Sequence, residues 1–156
     1  MEQPFDAPLH LNNSSRVVAS YFSSHQAWRA PNSATILLVD DDPFQAHIHR
    51  SAFQFASVER AADAADALIR IEEPELRQTL SLVIVGLRLP GVAGPTFVRE
   101  LVTRLPQTPV LVIGRPGETA SDYNGLNVSF FPAGSSEKDL LPAVRRFLAS
   151  RLRQVA

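Results

Sequence analysis

Cysteine is absent from this chain of 156 residues, and lysine occurs once, at Lys138. The absence of cysteine excludes disulfide scaffolds, thiol nucleophiles and thiolate metal sites. Because lysine is so scarce, the positive charge lies almost wholly on guanidinium groups. A strong net charge is also missing: the formal value of −1 gives no broad field that would attract nucleic acid or anionic lipid. We therefore expect no nucleic-acid partner and no membrane partner.

Long hydrophobic runs are missing as well. The longest are Ile36–Val39, Leu82–Val85 and Val110–Ile113, far shorter than the roughly 20 residues that span a bilayer. The N-terminus lacks the basic start and apolar core of a signal peptide, so we expect a soluble, cytoplasmic protein. Apolar residues nevertheless make up 45% of the chain, which is enough for one full hydrophobic core.

Residues 1–33 differ in composition from the rest, and we predict an N-terminal extension there, followed by one domain over residues 34–156. The extension is polar, rich in serine and asparagine, and ends in a loop-forming Ala-Pro-Asn-Ser stretch. Apolar residues recur in it at near-helical spacing, at Val17, Val18, Tyr21, Phe22 and Trp28. Two interpretations remain open. The extension is either a disordered tail or an amphipathic helix that docks on the domain, on a partner or on a second copy in a homodimer.

From residue 34 onward, strand and helix patterns alternate. Short apolar runs predict strands at Thr35–Val39, Leu82–Val85, Val110–Ile113 and Val128–Phe131, and a weaker pattern predicts a strand at Ser57–Ala61. Amphipathic stretches predict helices after Asp42 and after Asp63, which serve as N-caps, and at Thr96–Leu105 and Leu140–Leu152. Phe44, Ile48, Ala52 and Phe55 share one face of the first helix, and residues 115–125 have room for one or two helical turns.

This alternation predicts an α/β fold with a parallel sheet covered by helices on both sides. Functional residues of such sheets collect at the carboxyl ends of the strands, beside the point where the strand order reverses. In this chain those ends carry the acidic run Asp40–Asp42, Gly86 with the nearby Arg88, Gly114 with Arg115, and the stretch after Phe131.

Four segments, in unbroken order, resemble the receiver domain of bacterial response regulators, the CheY-like superfamily. These segments are Ile36–Pro43 (ILLVDDDP), Leu82–Gly94 (LVIVGLRLPGVAG), Pro109–Gly114 (PVLVIG) and Val128–Gly134 (VSFFPAG). The resemblance covers about residues 34–153. It implies a doubly wound, flavodoxin-like sheet of five parallel strands in the order 2-1-3-4-5, and a role in two-component or phosphorelay signalling.

The chain departs from the family at the phosphorylation site. By resemblance, Gly86 stands where the family has the aspartate that accepts phosphate, and Gly114 where it has a threonine or serine that contacts the phosphoryl group. Ala133 replaces the lysine that pairs with a phosphoryl oxygen, and Gly134 replaces the following proline. Phe130 stands at the position of the family's aromatic switch residue. The sequence therefore predicts a degenerate receiver, or pseudo-receiver.

The acid pair of the family, Asp40 and Asp41, is retained. One interpretation is that these acids favour the N-terminal end of the first helix. The other is weak Mg²⁺ binding, without the third carboxylate that position 86 would supply. We expect no cofactor beyond that Mg²⁺. Arg88 and Arg115 are candidate pocket cations that pair with Asp40 or Asp41, or else solvated loop residues.

The remaining polar clusters are weaker candidates. His47 and His49 lie two residues apart, point to different faces of one helix and are expected at the surface. Arg145, Arg146, Arg151 and Arg153 give the last helix a basic face, which either is solvated or contacts an acidic partner.

Three functions remain in competition. The first is a stand-alone receiver that acts without phosphorylation, by docking on a protein partner, and the chain end just after the last helix favours it. The second is a small-ligand sensor that uses the emptied pocket between Asp40, Asp41, Arg88 and Arg115. The third is a receiver phosphorylated elsewhere, on Asp41 or Asp42. An enzyme is not expected, because no nucleophile–base pair or complete metal site is visible.

Overall fold

The computed structural model describes residues 34–86 and 89–155, with side chains up to residue 150. The N-terminal extension and Arg88 lie outside the described residues, so both interpretations of the extension stay predictions. The basic side chains of Arg151 and Arg153 also lie outside them.

Five parallel strands form one sheet. They are β1 (Thr35–Val39), β2 (Ser57–Ala61), β3 (Leu80–Val85), β4 (Val110–Ile113) and β5 (Val128–Phe131). Their order, β2-β1-β3-β4-β5, confirms the predicted topology. The order reverses between β1 and β3, where Val39 pairs with Val85. The loops after these two strands therefore flank the crevice in which such sheets place their functional residues.

Five helices connect and cover the strands. They are α1 (Pro43–Ala52), α2 (Ala64–Arg70), α3 (Pro74–Thr79), α4 (Gly94–Arg104) and α5 (Glu137–Val155). Both predicted N-caps are confirmed: the Asp42 carboxylate accepts from Phe44 N at 2.8 Å, and that of Asp63 accepts from Asp66 N at 2.8 Å. Residues 115–125 contain one 3-10 turn at Ala120–Tyr123, as predicted.

The structure differs from the sequence patterns in length and at one helix. Helix α3 was not predicted, because six residues are too few to show a helical period. Strand β3 begins at Leu80, and Leu80 and Ser81 are both buried. Helix α5 extends beyond the predicted Leu140–Leu152 at both ends.

The sheet separates two hydrophobic layers. On one side, α1 and α5 pack on the sheet through Ala46, Phe53, Leu140, Ala143, Val144 and Leu148. On the other side, α2, α3 and α4 pack through Ala64, Ala67, Leu76, Phe97, Val98 and Leu101. Alternate residues of β1 face opposite layers, Ile36 and Leu38 against Leu37 and Val39. No helix of the described residues is both long and apolar enough to cross a membrane.

Phe44 corrects the predicted inner face of α1. Its side chain is 67% exposed. Because α1 begins four residues after the end of β1, its first turn lies at the carboxyl edge of the sheet rather than over it. Ala46 and, just past the helix, Phe53 are buried on the sheet side instead.

Candidate functional site

Asp40 lies at the carboxyl end of β1 and is the most buried acid of the site. It is 4% exposed, and its Oδ1 accepts a hydrogen bond from the backbone N–H of Asp42 at 2.9 Å. Burial raises the pKa of the Asp40 carboxyl, although the Asp42 N–H and the nearby His49 oppose the change. The neighbouring Asp41 has a buried Oδ1 that accepts no hydrogen bond.

The Asp40 carboxylate occupies the space beside Gly86. A Cβ added at Gly86 would lie 2.8 Å from Asp40 Oδ2, 2.9 Å from its Cγ and 3.1 Å from the carbonyl oxygen of Val39. The backbone is also tight at this point, since Gly86 N donates to Val39 O at 2.7 Å. The Asp40 carboxylate therefore takes up space that the Cβ of any larger residue at position 86 would need.

The ring of Phe130 occupies the space beside Gly114 in the same way. A Cβ at Gly114 would lie 2.6 Å from Cε2 of Phe130, and closer still to Cζ. The ring is partly buried and contacts Tyr123, with 5.5 Å between the ring centroids. Strands β4 and β5 meet directly below, where Gly114 N donates to Phe131 O at 2.7 Å. The aromatic residue and the glycine thus form one packed unit.

Ala133 lies in the exposed turn that leads from β5 to α5. Ser135 N and Ser135 Oγ both donate to Pro132 O, at 3.2 and 2.7 Å. Gly134 has φ +84°, a conformation that favours glycine. The turn therefore presents no basic group toward Asp40 and Asp41.

Arg115 does not pair with Asp40 or Asp41, which was the first of its two interpretations. Its Nη2 donates instead to the carbonyl oxygens of Leu89 at 3.2 Å and Val92 at 3.4 Å. Its guanidinium is turned toward the loop that enters α4, and no ion pair within the described chain joins it to Asp40 or Asp41. Arg115 and Asp41 still line one open cleft of 420 Å³ together with Leu89 and Pro90.

Glu118 accepts two hydrogen bonds within the segment that follows β4. Its Oε2 accepts from Arg115 N at 2.9 Å and from the Tyr123 hydroxyl at 3.3 Å. The hydroxyl fits above Gly94, where a Cβ would lie 2.5 Å from it. Burial, followed by the charge of Glu118, raises the pKa of Tyr123 to about 12, so this phenol remains a donor at neutral pH. Strand β4 is thereby fixed to the start of α4.

Arg60 is a cation of the site that our reading of the sequence missed. Its Nε donates to Asp40 O and its Nη2 to Asp41 O, both at 3.0 Å. Arg60 lies on β2, opposite Leu38 of β1, so only the pairing of the two strands brings it to the acids. It bonds their backbone carbonyls rather than their carboxylates.

His49 is the second correction among the polar residues, because it is half-buried rather than on the surface. Its ring stacks on Phe53 with 6.2 Å between centroids, and its buried Nδ1 has no hydrogen-bond partner. Burial lowers the pKa of His49, against the opposing charges of Asp40 and Glu137. The spacing of Gln45 and His49, four residues apart on α1, is a signal that would have placed both on one face.

A cavity of 340 Å³ opens between α1 and the turn after β5. Its lining combines acids, an imidazole and small residues: Asp40, Asp41, Asp42, Gln45, His49, Ile113, Gly134 and Ser135. Arg115 is not among these lining residues. Arg88 lies outside the described residues, so the pocket expected between Asp40, Asp41 and the two arginines stays a prediction.

Asp40 and Asp41 also provide a test of the implied Mg²⁺ site. Carboxylate oxygens are the donors that Mg²⁺ prefers, and it is often held by only one or two carboxylates with several waters. The buried Asp41 Oδ1 without a partner fits such an ion. However, the described residues contain no cluster of three metal-binding side chains. The donors suit a hydrated, weakly held Mg²⁺ on Asp40 and Asp41, which stays a prediction.

Known proteins resemble this chain in both sequence and fold. It is 32% identical over 121 residues to the transcriptional activator protein ExaE of Pseudomonas putida. The alignment covers 73% of this chain and 55% of that protein. The chain thus spans about half the length of that curated relative.

Two receiver structures each align with a TM-score of 0.65. The one from Clostridium thermocellum is 17% identical and covers 79% of this chain and 99% of that one. The CheY-like one from Methanospirillum hungatei JF-1 is 20% identical and covers 78% and 98%. These structures support the fold alone. Residues 36–130 match the family described as the response regulator receiver domain. The chain belongs to the response regulator receiver family of two-component signalling.

Proposed function

We propose that this chain is a receiver that signals by docking on a protein partner and accepts no phosphoryl group. One observation carries the proposal. The volumes beside Gly86 and Gly114, where the family's acceptor carboxylate and hydroxyl would begin, are occupied by the Asp40 carboxylate and the Phe130 ring. A receiver packed in this way has neither the nucleophile nor the space for an acyl phosphate on its third strand.

The charge-balancing groups are missing as well. Phosphoryl transfer depends on donors and cations that are already positioned around the phosphoryl oxygens. Position 114 is a glycine, Ala133 lies in an exposed turn, and Arg115 donates to the carbonyl oxygens of Leu89 and Val92. Mg²⁺ on Asp40 and Asp41 would supply positive charge, but it would not replace the nucleophile.

The partner that we propose for this domain is a protein. Three consecutive acids, Asp40–Asp42, lie at the functional edge of the sheet, and they repel the phosphates of nucleic acids. The ExaE relative is named as a transcriptional activator, and this chain spans about half of it. A role in transcription therefore needs contacts other than this edge of the receiver.

A phosphodonor assay tests the proposal. The protein is incubated with acetyl phosphate and Mg²⁺ beside a receiver that is known to be phosphorylated, and intact masses are measured. We expect no gain of one phosphoryl group. Gly86→Asp is the informative variant: we expect no labelling there either, because the new Cβ meets Asp40 and positions 114 and 133 offer no donors.

A stoichiometric, hydroxylamine-labile phosphate on the parent protein would contradict the proposal. Asp41→Asn and Asp42→Asn would then show whether one of these acids is the acceptor, which is the third function named above. The small-ligand sensor is the remaining alternative. A thermal-shift screen would favour it if one compound stabilises the parent protein and no longer stabilises Asp41→Asn.

A further inference from the structure

The exposed ring of Phe44 is a distinctive surface feature of the domain. Phe44 and Ile69 are the large apolar side chains that lie more than two-thirds exposed among the described residues, at 67% and 68%. Phe44 sits in the first turn of α1, where the Asp42 carboxylate accepts its backbone N–H at 2.8 Å. The capped first turn fixes the backbone that carries the ring, and aromatic side chains, phenylalanine included, are enriched at protein interfaces.

The surroundings of Phe44 and Ile69 differ in charge. The arginine next to Ile69 on α2, Arg70, pairs with Asp66 at 3.0 Å and lies 3.8 Å from Glu59, so opposite charges offset one another there. Asp41 and Asp42, close to Phe44 in the chain, take part in no ion pair within the described residues. Phe44 therefore stands beside negative charge that this part of the chain does not neutralise.

Arginines do reach this edge of the sheet, but their hydrogen bonds go elsewhere. Arg60 donates to the backbone carbonyls of Asp40 and Asp41, and Arg115 to those of Leu89 and Val92. Asp41 lines a cavity at this edge of the sheet and forms no ion pair within the described residues. A guanidinium or ammonium group that enters the cavity would gain a charge-assisted hydrogen bond to a carboxylate.

The cavity beside these acids has room for such a donor. It measures 340 Å³ and is lined by Asp40–Asp42 together with Gln45 and His49, and Gln45 follows Phe44 directly on α1. An incoming guanidinium or ammonium group would meet carboxylates in the cavity, while the apolar residue next to it in the partner reached the Phe44 ring.

We propose that Phe44 and this acidic cavity form one docking surface for a basic segment of a partner protein. The segment places an arginine or lysine in the cavity against Asp41 and an apolar side chain on Phe44. The inference rests on the proposed function, because it names the partner chemistry for a receiver that acts by docking. Nucleic acids and anionic membranes are disfavoured, because the acids repel their phosphates.

A peptide titration of the full chain tests the docking surface. The probe is a short, capped, fluorescent peptide of arginine and leucine, compared with a counterpart in which glutamate replaces arginine. We expect only the basic peptide to bind, and added salt to weaken binding. Phe44→Ser and Asp41→Asn should each weaken it about tenfold, as the truncation of an interface anchor does.

Matched controls come from the same chain. Ile69→Ser removes an equally exposed apolar side chain, and Glu75→Gln removes an exposed carboxylate on α3. Both should stay within about twofold of the parent. Urea unfolding shows that each variant is folded. If Phe44→Ser does not fold, Asp41→Asn, which keeps the side-chain shape, decides the test.

Three results would overturn the docking surface: no binding of the basic peptide, equal binding of the acidic peptide, or equal losses in the controls. Binding that appears only in Arg88→Gln would also overturn it, because this chain's own arginine would then fill the cavity. The phosphodonor assay on the same samples separates the two proposals. Phosphate uptake with intact peptide binding refutes only the proposed function, and no uptake with no binding refutes only the docking surface.

Discussion

Replacing Gly114 with alanine tests whether the Phe130 ring is fixed by the missing side chain. The new Cβ would lie 2.6 Å from Cε2 of the ring, a distance that real side chains do not adopt. Gly114 does not have a left-handed φ, so the backbone itself accepts alanine. The ring must therefore leave its present position, in which it packs on Tyr123 with 5.5 Å between the ring centroids.

The predicted sign of the change in stability for Gly114→Ala is opposite to the sign expected without a steric conflict. Without a conflict, glycine to alanine would stabilise the protein by about 0.4–1 kcal/mol, because the unfolded chain loses freedom. Overpacking costs about 1–3 kcal/mol, and displacing a half-buried ring loses about 1 kcal/mol of hydrophobic burial. We therefore expect Gly114→Ala to lower the free energy of unfolding by about 1–3 kcal/mol.

A double-mutant cycle identifies the ring as the cause. Phe130→Ala removes the ring, so the added methyl group of Gly114→Ala then fits, and the double variant should be more stable than the sum of the single changes by about 0.5–3 kcal/mol. Gly91→Ala is the control. It is strained by its φ of +80°, but its Cβ would meet no atom within 4 Å, so its effect should add to that of Phe130→Ala within about 0.5 kcal/mol.

Urea unfolding followed by far-UV circular dichroism gives these free energies, with unchanged m-values as the check on two-state behaviour. A neutral or stabilising Gly114→Ala, with additive behaviour in the cycle, would refute the reasoning. The ring would then lie elsewhere in solution, and the main support for the proposed function would be lost.

Other predictions follow from individual contacts. Burial raises the pKa of Asp40, so its contribution to stability is fully present at low pH and is lost as the pH rises through that raised value. Asp40→Asn should therefore have a higher free energy of unfolding than the parent at neutral pH. In urea unfolding, the difference between the two proteins should disappear in acid. A less stable variant at neutral pH would contradict this. Arg115→Ala loses two long hydrogen bonds to loop carbonyls, so it should lower the free energy of unfolding by about 1 kcal/mol and speed hydrogen exchange at the start of α4. Added Mg²⁺ should not restore the stability, and a restoration would indicate that Arg115 contacts the acids. Deleting residues 1–30 should lower the melting temperature or change the elution volume if the apolar stripe of the extension is docked; unchanged values would identify a passive tail. Mg²⁺ should bind weakly and no longer bind Asp41→Asn in calorimetry, whereas equal binding to both would place the ion elsewhere.

The sequence by itself determined the order of the elements, and its resemblance to receiver domains implied the strand topology. Strands β1, β3, β4 and β5 are short apolar runs. Asp42 and Asp63 mark two helix starts, because their carboxylates accept hydrogen bonds from backbone N–H groups of the first turn. These signals are local, so neighbouring residues in the sequence are enough to recognise them. Helix α3 was not predicted because six residues carry too little periodicity. The exposure of Phe44 was not predicted because the pattern of a helical face does not show where the underlying sheet ends.

The tertiary structure alone decided what occupies the site. Glycines at 86 and 114 are visible in the sequence, but a missing side chain does not say which neighbour fills its volume. Asp40 and Phe130 do so because strands β1 and β3, and strands β4 and β5, pair side by side. Arg60 reaches the acids through the pairing of β2 with β1, and Arg115 turns away because carbonyls of another loop lie within its reach. Such contacts join residues distant in sequence, and close packing selects among them only once the chain has folded.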